Sequence, residues 1–141
     1  MAEPTGLPPA GRPIRTLLGP LGISAAGMSR QQQFMDVIAR NIANAETTRT
    51  AEGGAYRRQV AVAGVDPRTG APTTPIVDDV RPGRMVYDPG HPDASDTGYV
   101  ELPNVDLAAE TVDLMMARRL HEANASVFQA AKAMLRRALD I

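Results

Sequence analysis

The sequence has no cysteine and no tryptophan, only two histidines, and aromatic side chains at 4% of its 141 positions. Without cysteine there is no disulfide framework, no thiolate nucleophile and no thiolate metal ligand. Two histidines make a thin inventory for a zinc site. Two Phe and three Tyr supply little bulk for a dense core, so a modest core and an extended shape are expected. A charge excess is also missing: 15 basic against 16 acidic residues leave a net charge of -1, and the pI is near 6.1. Such a balance gives no general attraction to nucleic acid or to an acidic membrane. No apolar run approaches the ~20 residues of a membrane span, so no direct membrane insertion is expected. The start, MAEPTGLPPAGRPIRTLLGPLG, lacks the continuous apolar stretch of a cleaved secretory signal.

What is present is unevenly spread. All 12 Pro and all 12 Gly fall at or before Pro103. From Asn104 to Ile141 the chain is free of both, which predicts one uninterrupted helix over 104–141, about 50 Å long at ~1.5 Å per residue. Ala117, Leu120, Asn124, Val127, Ala131, Met134, Ala138 and Ile141 follow alternating steps of three and four, a heptad seam. Met116, Ala123, Phe128, Ala130 and Leu135 widen it. Acidic residues lead this helix (Asp106, Glu110, Asp113) and basic ones trail it (Lys132, Arg136, Arg137), the order that suits the helix dipole. A stripe this long exceeds what a domain of this size wraps as core, so part of it is expected to meet another chain.

Residues 1–22 hold five prolines and four glycines and are expected to form a flexible tail, with the folded domain spanning 23–141. A second amphipathic helix is predicted over 23–45, with Ser24 as N-cap and Phe34, Val37, Asn41 and Asn44 repeating on one face beside Ile38 and Ile42. Between the helices, over 46–103, four short β-branched or aromatic runs (56–63, 74–80, 84–87 and 99–102) alternate with Pro, Gly and Asp, the pattern of a small irregular β region. The fold class read from this plan is α+β, the two terminal helices pairing as a coiled coil around a β-rich insert.

Three groups of residues invite a chemical reading. The turn-rich loop Asp88-Pro-Gly-His-Pro-Asp93, extended to Asp96, gathers carboxylates and an imidazole, as a divalent metal or an acid/base site would require. Asp, Gly and Pro also set and cap turns, and Asp88, Pro89, His91, Pro92 and Asp93 are read as a shaped structural loop. No catalytic, metal or cofactor site is expected. Arg57 and Arg58, beside Tyr56, are too few for a nucleic-acid footprint and are read as a solvated strand face or an intersubunit salt bridge. The asparagines carry more information. Asn44 fits a helix C-cap, whereas Asn41 and Asn124 on apolar stripes need partners or a register role to offset the cost of burial. The expected assembly interface is Phe34, Val37, Ile38, Asn41, Ile42 and Asn44 on the first helix. On the second it is Met116, Leu120, Asn124, Val127, Phe128, Ala131, Met134 and Leu135.

The run Ala39-Arg-Asn-Ile-Ala-Asn-Ala-Glu-Thr-Thr48 resembles the N-terminal motif of the flagellar rod and hook protein family. Ala117-Arg-Arg-Leu-His-Glu-Ala-Asn124 and Lys132-Ala-Met-Leu-Arg-Arg-Ala-Leu-Asp-Ile141 resemble its C-terminal motif. Val86-Tyr-Asp-Pro-Gly-His-Pro-Asp-Ala94, Gly98-Tyr-Val100 and Pro103-Asn-Val-Asp106 narrow the resemblance to the proximal rod. The resemblance implies a structural subunit of the drive shaft that carries torque from motor to hook. It implies location in the periplasmic rod of the basal body and export through the flagellar type III apparatus without signal cleavage. The implied partners are further copies of the chain and the rod proteins FlgB, FlgF, FlgG and FliE. His121 departs from the family, which usually has Tyr there. Two other classes stay open on residues alone: a free-standing coiled-coil adaptor, and a metal-dependent hydrolase built on Asp88, His91, Asp93 and Asp96.

Overall fold

The computed structural model describes residues 12–139, with side chains from Gly19 onward. Two long helices, α1 (Arg12–Ala43) and α2 (Leu107–Leu139), flank an insert of six short strands: β1 (Gln59–Ala61), β2 (Gly64–Val65), β3 (Pro72–Thr73), β4 (Ile76–Asp78), β5 (Met85–Tyr87) and β6 (Tyr99–Glu101). The strands pair as three two-stranded antiparallel ribbons, β1 with β4, β2 with β3, and β5 with β6. The architecture is α+β as expected, with the insert confined to the middle of the chain.

The helix ends are set by side chains. Asp106 caps α2, its Oδ1 accepting from the N–H groups of Ala108 at 2.9 Å and Ala109 at 3.2 Å, so the helix starts at Leu107 rather than at 104. Asn44 follows the last residue of α1, and its Nδ2 donates to the Arg40 carbonyl at 2.9 Å. This is the C-cap reading of Asn44. At the other end the structure corrects the expected tail: residues 12–22 are the first turns of α1, with Pro20 inside it. The part of that tail over residues 1–11 lies outside the described residues. Pro13 falls in the first turn, where the missing N–H has no intrahelical role. Pro20, itself exposed, costs a hydrogen bond there, and the helix continues through it.

Asn41 meets Glu110 and Gly27 meets Asn124, equal separations along both helices, so α1 and α2 run antiparallel in a fixed register. On α2 the side facing α1 is Glu110, Leu114, Ala117, His121, Asn124, Phe128, Ala131 and Leu135, all buried or half-buried and spaced by four and three. This corrects the seam read from the sequence. Ala117, Asn124 and Ala131 belong to it, but Leu120, Val127 and Met134 do not, because the helix turns them about a quarter of a circle aside; Ala138 is exposed, and Ile141 lies outside the described residues. The helices come close at Gly27, where a Cβ would stand 2.9 Å from Asn124 Nδ2. Gly27→Val is expected to destabilise the helix pair by about 1–3 kcal/mol in chemical denaturation, and Asn124→Ala in the same chain to recover part of the loss.

Candidate assembly interface

The centre of the molecule is polar. Asn41 is 1% exposed and Glu110 is fully buried. The Asn41 amide pairs with the backbone of Gln59 as a neighbouring strand would: Nδ2 donates to the Gln59 carbonyl at 2.8 Å and Oδ1 accepts from the Gln59 N–H at 2.9 Å. Nδ2 also donates to Glu110 Oε2 at 3.2 Å, and the Tyr56 hydroxyl donates to Asn41 Oδ1 at 3.0 Å. One side chain of α1 thereby holds β1, α2 and the Tyr56 segment together. The buried Glu110 carboxylate is matched by Arg58, whose Nε forms a close ion pair with its Oε1 and whose guanidinium also reaches Asp113 at 3.6 Å. The structure therefore corrects the reading of Arg58: it joins β insert to α2 within the chain. Arg57 lies nearer the surface, donating to the Arg81 carbonyl and pairing with Glu101 at 3.3 Å.

A second amide fixes the other side of the same root. Asn104 Oδ1 accepts from the Arg58 N–H at 2.7 Å, and its Nδ2 donates to the carbonyls of Asp79 at 3.2 Å and Arg81 at 2.9 Å. Hydrogen bonds from Arg81 hold the Asp79 carboxyl well below the usual carboxylate range, at about 2. A depressed carboxylate contributes above its unfolded value, so this pairing persists as pH falls through 4 and is lost toward 2.

Outside the seam, α2 carries a second apolar stripe in the same heptad steps: Met116, Leu120, Ala123, Val127, Ala130 and Met134. Its large members are 48 to 61% exposed, and all lie on one flank of the helix pair. At the insert end the stripe runs into an open groove of about 240 Å³ between α1, α2 and β1, lined by Phe34, Val37, Ile38, Val60, Met116 and Leu120, with Arg58 and Asp113 at a polar margin. The expected interface residues thus divide. Phe34, Val37, Ile38, Asn41, Ile42, Asn124, Phe128, Ala131 and Leu135 are buried or half-buried within the chain, and Asn44 caps a helix. Met116, Leu120, Val127 and Met134 form an outward face. His121 sits in the seam, and its Nδ1 is the buried side-chain nitrogen without a hydrogen-bond partner among the described residues.

The Asp88–Asp93 loop is committed to its own geometry. The Asp88 N–H donates to the Gly98 carbonyl at 2.9 Å, Asp88 Oδ1 accepts from the Gly90 N–H, and His91 Nδ1 accepts from the Asp93 N–H at 3.0 Å. Asp93 ties the loop to the end of α1's connection, accepting from Thr48 Oγ1 at 2.7 Å and pairing with Arg49 Nε at 2.6 Å. Gly98, at φ +79°, turns the chain against the Tyr87 ring, which meets Tyr99 edge to face at 5.2 Å. Among the described residues no three His, Asp or Glu side chains gather as metal ligands would.

Comparison with known proteins matches both ends of the chain. A family model described as "Flagella basal body rod protein" covers residues 21–49, and one described as "Flagellar basal body rod FlgEFG protein C-terminal" covers residues 96–141. The protein named flagellar basal-body rod protein FlgC in Borreliella burgdorferi is 37% identical, over 89% of this chain and 97% of its own length. The chain belongs to the FlgC family of flagellar basal-body rod proteins. FlgC of Bacillus subtilis is 36% identical over 86% of this chain and 95% of that protein, and FlgC of Escherichia coli O6:H1 is 34% identical over 89% and 97%. The first match contains Asn41 and α1's exit, and the second contains Glu110 and both stripes of α2.

Sequence reasoning overlooked Glu110, Arg58 and Tyr56 as a unit. The available signal was Glu110 itself, an acid standing one heptad before Ala117 in the seam. Burial raises the Tyr56 hydroxyl above the ordinary tyrosine value of 10.0, with Arg40 opposing and Asp78 and Glu110 reinforcing. A raised acid contributes stability below its unfolded value and loses it as pH climbs through the folded one. In ultraviolet titration the Tyr56 phenolate is expected to form above pH 10, and Tyr56→Phe is expected to remove that component.

Proposed function

We propose that this chain is a structural subunit of the flagellar basal-body rod that docks onto its neighbours through the exposed stripe of α2. The observation that carries this reading is the second heptad, Met116, Leu120, Ala123, Val127, Ala130 and Met134, left in solvent by a helix whose other stripe is already satisfied by α1. Heptad spacing matches another helix far better than a strand, whose side chains alternate every two residues. A monomer exposing such a stripe is incomplete by the usual standard for apolar patches. Family membership supports association with other rod components and location in the basal body.

Copies of the chain and the rod proteins FlgB, FlgF, FlgG and FliE are the proposed neighbours, in the periplasmic part of the proximal rod, reached through the type III export apparatus without signal cleavage. Contacts of this kind are heterologous, and repeated without closing they build a helical tube. Each apolar side chain buried in such a contact contributes on the order of 1.5–3 kcal/mol before ordering costs are subtracted. The chain acts by burial and shape, not by catalysis.

Cells lacking the gene are expected to stop rod growth and to swim again only with the full chain, not with one truncated after Pro103. Basal bodies that form normally without the gene would overturn the reading. Leu120→Asp and Val127→Asp, both on the exposed stripe, are expected to change monomer stability by no more than about 0.5 kcal/mol while abolishing incorporation and swimming. Phe128→Asp, in the inner seam, is expected to unfold the helix pair. Normal swimming with Leu120→Asp would show that the stripe is not the docking face.

A further inference from the structure

The β insert has almost no core of its own. Val62, Val65, Ile76, Val77 and Val80 are all exposed, and in the β5–β6 ribbon only Val100 is buried in its strands. Apolar contact with the helices comes from β1, whose half-buried Val60 and Ala61 line the groove beside Phe34 and Ile38, and two such side chains do little to fix an angle. What fixes it is polar and directional. Asn41 pairs with both backbone groups of Gln59, Asn104 pairs with Arg58 and the opposite strand at Asp79, and Arg58 reaches Glu110 and Asp113 on α2. Hydrogen bonds and ion pairs depend on angle and position, where apolar contacts tolerate sliding. A buried ion pair adds little net stability over a well-packed apolar pair, but it makes wrong registers expensive.

We propose that the Asn41–Glu110–Arg58 cluster is a registry key that sets the angle of the β insert about the α1–α2 pair, and with it the surface this subunit offers to its neighbours. This rests on the rod reading above. The three residues are positioning residues: they act through the insert, whose Val60 and Ala61 form one wall of the groove beside Met116 and Leu120. Rotating the insert would close or widen that groove. The docking stripe would keep its sequence and lose its shape.

The test uses the full chain, purified for amide exchange and expressed in cells lacking the gene for swimming. Asn41→Asp keeps the acceptor toward the Gln59 N–H, removes the donor, and sets a second carboxylate against Glu110. Exchange at residues 59–61 is expected to quicken at least tenfold while α1 and α2 stay protected, and swimming to be lost. Asn41→Asp combined with Glu110→Gln returns the cluster to one negative charge and is expected to slow exchange again and restore swimming. Arg58→Lys, which keeps the charge but loses the fork spanning Glu110 and Asp113, is the gentler variant, with a several-fold increase expected at the same residues. Unchanged exchange at 59–61 in both Asn41→Asp and Arg58→Lys would overturn the proposal. So would loss of helix protection together with the insert in both, because the cluster would then be a plain element of stability. Failure of the intact chain to restore swimming would sink the rod reading instead, with the exchange data still deciding the key.

Discussion

A single carboxamide, that of Asn41, stands where three parts of the molecule meet. Its oxygen and nitrogen take the places a further β-strand would offer to Gln59, and the same nitrogen turns to the buried carboxylate of Glu110. Leucine could fill the volume, but it would leave the Gln59 backbone groups and Glu110 unpaired in a dry site, at about 1–3 kcal/mol for each group. The amide's geometry dictates where β1 lies, β1 brings Arg58, and Arg58 neutralises Glu110. The contact agrees with the register that the seam sets independently, Asn41 meeting Glu110 as Gly27 meets Asn124.

The long helix serves two surfaces because 3.6 residues per turn leave room for two heptad stripes side by side. One stripe is closed by α1 within the chain. The other keeps its methionines, leucine and valine in solvent, with the small side chains of Ala123 and Ala130 between them. Under the docking proposal this division separates folding from assembly: the inner stripe holds the helix pair, and the outer one is left free to meet a neighbour.

The two helices, their order around a β insert, and the turns of the Asp88–Asp93 loop were legible because periodicity, Pro and Gly distribution, and turn chemistry act locally. The choice of seam was not. Leu120 and His121 are adjacent, and hydrophobicity alone selects Leu120 for the inner face, yet His121 occupies it and leaves Nδ1 unpartnered. Nothing local says which of two neighbouring stripes a partner helix will take. The described part of the tail, residues 12–22, was misjudged because Pro20 argues against helix within its own segment, yet α1 runs through it. The polar centre was half legible, since Asn41 asked for partners but could not name residues 59 and 110 across the chain.

The insert's root is held by side-chain amides that grip backbone atoms: Asn41 those of Gln59, Asn104 those of Arg58, Asp79 and Arg81. Backbone N–H and C=O groups are the same whatever residue carries them. Beyond Arg58, whose guanidinium is specified, the hairpin from residue 62 to residue 75 can change its sequence and length without disturbing the attachment. The molecule thus has a fixed socket and a projection whose own sequence the socket does not specify, so the hairpin can change shape while the pairing of the helices stays as it is.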